Sequence, residues 1–93
     1  MKTLTFAVIS DPGHAWVKVN FRHLERIIGP HWRSCFSPYS YERGDHAYLE
    51  EDDDAATFIK ACRGAGIEPR WRTRYANRES RVRHYDSLRT TAG

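Results

Sequence analysis

The local signals in residues 39–66, YSYERGDHAYLEEDDDAATFIKACRGAG, all agree: strand, tight turn, strand, capped helix, glycine stop. Tyr39 and Tyr41 stand two apart, as do Ala47 and Leu49, so each short run offers one apolar face at the strand period. Arg43-Gly44-Asp45 between them supplies hairpin chemistry, with Gly44 there for the turn. Asp52, Asp53 and Asp54 bring cap oxygens and negative charge to the positive end of a helix. Inside that helix Ala55, Phe58, Ile59 and Cys62 fall at i, i+3, i+4 and i+7, a stripe that can lie on a sheet, and Gly64 or Gly66 ends it.

The earlier part of the chain repeats this plan. Residues 3–10, TLTFAVIS, read as a strand with apolar side chains on both parities, ending at the turn Asp11-Pro12-Gly13. Residues 15–19 read as a second strand, with Ala15, Val17 and Val19 on one face and Trp16 and Lys18 on the other. Asn20 caps a helix in which Phe21, Leu24, Ile27 and Ile28 keep helical spacing, and Gly29-Pro30 stops it. His14-Ala15-Trp16-Val17-Lys18 matches His46-Ala47-Tyr48-Leu49-Glu50 at an offset of 32, so residues 3–30 and 36–66 read as two ββα halves. Residues 31–38 read as a loop entering a strand near Phe36, with Trp32 folded back onto the core. Residues 67–75 alternate: Ile67, Trp71, Thr73 and Tyr75 on one side, Glu68, Arg70, Arg72 and Arg74 on the other. Pro69 assigns this strand to a sheet edge, and parity puts Trp71 and Tyr75 in the core. Beyond it, Arg81, Arg83 and Tyr85 alternate as a last short strand, and residues 88–93 are expected to be loosely held. The expectation is one α+β domain over residues 1–93, ββα-ββα-β, with a mostly antiparallel sheet covered by two helices; 93 residues are too few to divide their apolar surface between two cores.

Charge is unevenly distributed along this plan. Residues 1–66 carry eight Lys/Arg against nine Asp/Glu, a net −1, whereas residues 67–93 carry seven Arg against three acids, a net +4. Twelve of the fifteen basic residues are Arg, which favours planar, bidentate or stacked contacts over diffuse point charge. Cys35 and Cys62 are separated by 26 intervening residues in a sequence with no secretory or membrane-spanning pattern, and they read as two reduced thiols of a soluble intracellular protein. That reading also removes Arg43-Gly44-Asp45 as an adhesion tripeptide.

Three constellations bear on chemistry. The ladder Arg70, Arg72, Arg74, continued by Arg78, Arg81 and Arg83, would project guanidinium groups from one strand face about 7 Å apart, near the spacing of successive phosphates in an extended single strand. Glu50, Glu51, Asp52, Asp53 and Asp54 form the densest charge in the chain. Capping explains one or two of them, and the surplus is expected either to hold arginines of the last third or to imitate phosphates before a basic partner. His14 and His46, at equivalent places in the two halves with Asp11 and Asp45 nearby, offer a minor metal or acid/base reading, that of a metal-dependent hydrolase. Asp11-Pro12-Gly13-His14 after an apolar strand resembles the opening of zinc-dependent N-acetylmuramoyl-L-alanine amidases, whose histidine binds zinc. That match covers four residues, and the chain lacks a convincing second and third ligand. No cofactor or metal is expected.

A second resemblance spans most of the chain. Ser10-Asp11-Pro12-Gly13-His14, Tyr41-Glu42-Arg43-Gly44-Asp45, Ala47-Tyr48-Leu49-Glu50-Glu51-Asp52 and the segment 81–85 are similar to small proteins encoded by bacteriophages and mobile elements. The sequence departs from that pattern at Asp53, where the family has a cysteine. These motifs carry no known chemistry; what the resemblance implies is context. It implies an early phage protein that acts in the bacterial cytoplasm by binding more often than by catalysis. The function expected is that of a non-enzymatic accessory protein that binds a host nucleic-acid-processing or defence complex, in the manner of an anti-CRISPR inhibitor. The contacts expected are Arg70, Arg72, Arg74, Arg78, Arg81 and Arg83, the acidic Glu50, Glu51, Asp52 and Asp53, or both. The alternative is a module that binds single-stranded DNA or RNA directly.

Overall fold

A computed structural model describes residues 2–91. It is α+β, with two helices on one face of a six-stranded, mostly antiparallel sheet. In chain order the elements are β1 (Lys2–Ser10), β2 (Ala15–Asn20), α1 (Phe21–Ile27), a 3-10 helix (Trp32–Cys35), β3 (Tyr41–Arg43), β4 (His46–Glu50), α2 (Asp53–Gly64), β5 (Ile67–Tyr75), a second 3-10 helix (Arg81–His84) and β6 (Asp86–Ser87). The strand order is β5-β1-β2-β4-β3-β6, and only β1 and β5 run parallel.

Both hairpin-helix units form, although Tyr39, expected on a strand face with Tyr41, stays outside β3. Asn20 caps α1 by accepting the Arg22 amide at 2.7 Å. Gly44 closes β3 onto β4 at φ 60°, the left-handed geometry of a primed hairpin turn. The central pair β2–β4 has a telling register: Val17 lies opposite Leu49, its own counterpart at the offset of 32. Strand order is symmetric about that pair from β1 to β3, and α1 and α2 begin at residues 21 and 53, again 32 apart.

The main core lies between the helices and the sheet. Phe6, Val17, Val19, Ala47 and Leu49 point up from the strands to meet Leu24 of α1 and Ala55, Phe58 and Cys62 of α2. Phe58 is fully buried and packs edge-on against Phe6, ring centroids 5.0 Å apart. Trp32 folds back onto one end of this core against Phe21 and Phe36, as expected. The opposite sheet face carries a smaller cluster, Trp16, Tyr48 and Val82 with Ile9, Tyr41 and Tyr85 packed on it. The molecule's thin dimension, 21 Å, is that of one sheet and one helix layer, so much of this second face stays open.

Three local expectations are overturned. No strand begins near Phe36: the chain enters β3 only at Tyr41, because Ser37 and Ser40 are tied to Asp54 in a turn that leaves Tyr39 80% exposed. Arg81–His84 is a 3-10 helix rather than a strand, since Ser80 caps it by accepting the Val82 amide while Val82 buries into the second cluster; strand pairing waits until Asp86. Nor is the C-terminal segment loose from Leu88. Leu88 is 2% exposed within the main core and donates its amide to the Ser40 carbonyl, and the Arg89 amide binds Glu42 at 2.8 Å. Ala92 and Gly93, part of the same expectation, lie outside the described residues.

Candidate functional site

The arginine ladder forms on β5 with the parity the sequence predicts. Arg70, Arg72 and Arg74 pair with Thr5, Ala7 and Ile9 of β1, and paired residues share a face, so all three belong to the open side of the sheet. Arg70, Arg72, Arg74, Arg78 and Arg81 are exposed, and among the described residues none of the five enters an ion pair. Three guanidinium groups on β5, with Arg78 and Arg81 on the segment that follows it, make a cationic surface. The row continues inward: Arg72 lies beside Ala7, Ala7 beside Lys18 and Lys18 beside Tyr48. The small Ala7 side chain leaves a shallow gap between two cations set about 10 Å apart.

The aromatics of β5 differ from expectation. Trp71 and Tyr75 do face the helix side, but they are 41% and 63% exposed instead of buried. Of this strand only Pro69 is buried, with Ile67 half-buried against the core. From Arg70 to Tyr75 every residue of β5 is exposed, with arginines on one face, Trp71 and Tyr75 on the other, and the outer backbone edge unpaired by any described strand.

Arg83 leaves the ladder. Its Nε and Nη2 donate to Asp11 Oδ2 and Oδ1 at 2.9 and 3.0 Å, a bidentate pair in which the Asp11 side chain is fully buried. Asp11 also accepts the amides of Gly13, His14 and Ser80, so it ties the β1–β2 turn to the segment before the second 3-10 helix. The Arg83 guanidinium, then the Ser80 amide, hold the Asp11 carboxyl well below its ordinary value, and the Asp11 carboxylate raises Arg83 in return. Gly13 is needed for space: a Cβ there would lie 2.7 Å from the Arg83 Nη2, whereas its φ is unexceptional. Arg83 thus differs from the other five arginines in having an intramolecular partner, while part of its side chain stays exposed.

The acidic run is mostly spent on the backbone. Glu50, not an aspartate, caps α2, accepting the amides of Asp52, Asp53 and Asp54 at 2.8–2.9 Å. Asp54 is 3% exposed and accepts hydrogen bonds from Ser37 and Ser40. Glu51 stands 3.7 Å from His14, which leaves Asp52 and Asp53 as the free exposed carboxylates of the cluster. None of the five touches an arginine of the last third, so the expected internal neutralisation does not occur.

The two histidines do not meet. β2 and β4 are antiparallel, so His14 falls beside Glu51 at one end of the sheet and His46 beside Asp45 at the other, about 15 Å away along β4. Among the described residues no three His, Cys, Asp or Glu side chains are grouped to hold a metal. The amidase-like Asp11-Pro12-Gly13-His14 serves the clamp on Arg83 instead.

No family model, curated protein or solved structure matches this chain. Residues 10–14, 41–45 and 47–52 are used structurally: the first as the clamped turn, the second as the hairpin, the third as a core strand and helix cap. No described helix is long and apolar enough to cross a membrane. Sequence reasoning missed Lys18 and Tyr48 as neighbours of the ladder. Their parity was legible, but only the strand order brings β2 and β4 beside β1.

Proposed function

We propose that this chain is a non-enzymatic binding module that takes single-stranded nucleic acid along β5. The observation that carries it is the combination on one free edge: Arg70, Arg72 and Arg74 exposed and unpaired on one face, Trp71 and Tyr75 exposed on the other. Backbone phosphates match cations at strand spacing, and exposed rings stack bases without regard to sequence. With about five cations engaged, affinity for a single strand falls on the order of 100-fold for a fourfold rise in salt. Gel shifts with labelled single-stranded DNA and RNA across a salt series test this; failure to shift either at low salt removes it.

A second reading is the phage-type accessory protein in the bacterial cytoplasm, an inhibitor of a host nucleic-acid-processing or defence complex in the manner of an anti-CRISPR. Asp52 and Asp53 favour it, because they remain exposed after capping and core contacts have used Glu50 and Asp54. Pull-down from a bacterial lysate separates the two. Loss of a specific protein on Asp53→Lys but not on Arg72→Glu selects the inhibitor, and the reverse pattern with nucleic acid recovered selects the strand binder.

A further inference from the structure

The second face of the sheet holds a cavity of about 660 Å³ where residues 76–85 arch over β1, β2 and β4. Ile9, Tyr48 and Val82 form an apolar floor, and Tyr85 stands beside Tyr48 with ring centroids 5.0 Å apart. Lys18, Arg78 and Arg81 line the same space. Glu79 is the one carboxylate in the lining, and it lies 3.4 Å from His84. The volume falls in the range of small-molecule sites, and an apolar base with cations around it is the chemistry of a pocket for a flat, anionic ligand.

The position of the cavity narrows the ligand further. Arg74 pairs with Ile9 of the floor, and Arg72 is separated from Lys18 only by Ala7, so the ladder on β5 runs directly up to the opening. A strand following those arginines reaches the cavity with its next unit. We propose that the cavity is a nucleotide subsite, which takes one base against Ile9, Tyr48 and Val82 and its phosphate at Lys18 and Arg81. The inference rests on the strand-binding reading and adds to it a fixed point where one nucleotide leaves the stack.

Two titrations test it on the intact chain. The first measures anisotropy of a fluorescein-labelled thymidine pentadecamer at low salt with wild type, Lys18→Gln/Arg81→Gln and the charge-matched control Arg22→Gln/Arg26→Gln on α1. The cavity variant should lose about 10-fold or more in affinity and the control less than about 3-fold. The second follows amide and side-chain NMR shifts with thymidine 5′-monophosphate and, separately, inorganic phosphate. The nucleotide should move Lys18, Tyr48 and Val82, and phosphate alone should leave Tyr48 and Val82 unmoved. If wild type binds the oligonucleotide but the cavity variant matches the control, or if phosphate reproduces every shift of the nucleotide, the subsite is overturned while strand binding stands. If wild type binds no oligonucleotide, both fall.

Discussion

Asp11 accepts hydrogen bonds from three backbone amides and from the Arg83 guanidinium. It holds two backbone segments and one guanidinium that are about 70 residues apart in sequence, and no local pattern announces such a partnership. The turn Asp11-Pro12-Gly13 was legible; that Gly13 clears room for Arg83 was not. The sign of the pH effect follows from the lowered carboxyl. A group titrating lower in the folded than the unfolded chain adds stability that is full above its ordinary value of 3.8 and fades as pH falls below it toward the folded value. Glu42 acts in the same direction: burial pushes its carboxyl up, but the Arg89 amide and the Arg33 guanidinium outweigh burial and lower it. Asp11→Asn should therefore lower Tm at neutral pH, on the order of 10 °C, with the gap to wild type closing below about pH 4. Thermal melts at several pH values check this, and a gap independent of pH contradicts it. The cysteines give a second residue-scale test. Burial raises the Cys62 thiol to about 11, whereas Cys35 is exposed. Reaction with a chromogenic disulfide should modify one thiol in the native protein and the second only after denaturation.

At the scale of elements, the hairpin-helix units were readable because cap, turn and periodicity are local. The exposure of β5 was not, because parity says which face a side chain takes and nothing about what covers that face. A helix of 12 residues spans about 18 Å and a nine-residue strand about 30 Å, so α2 cannot cover all of β5, and Tyr75, about 26 Å from Ile67, lies beyond its reach. The acidic run misled for a related reason: the cap came from Glu50, two positions before the expected aspartates, because its longer side chain folds back over three amides. The arginines also guard the free edge. Two copies pairing through β5 would set guanidinium groups against each other, which disfavours edge-to-edge association. The packing of α2 makes its own prediction: Phe58→Ala, a truncation at the centre of the core, should cost about 3–5 kcal/mol in chemical denaturation. A loss below about 1 kcal/mol would show that α2 does not pack on Phe6 as described.

Across the whole molecule, the α+β class and the helix count were legible, and the sheet order was not. The Val17–Leu49 register is what two ββα units related by a local two-fold would give, with β5 and β6 added at the outer edges. That arrangement puts both helices on one side and leaves the other to Lys18, the ladder and the arch of residues 76–85. It also separates His14 from His46, so apparent equivalence in sequence became distance in space. Strand binding at this open face is most directly tested by the slope of log affinity against log salt for a fluorescent single-stranded oligonucleotide. Wild type should give a slope near −3.5, and Arg70→Gln/Arg72→Gln/Arg74→Gln should reduce its magnitude by about 2. Absence of binding, or a slope that the triple substitution leaves unchanged, contradicts it.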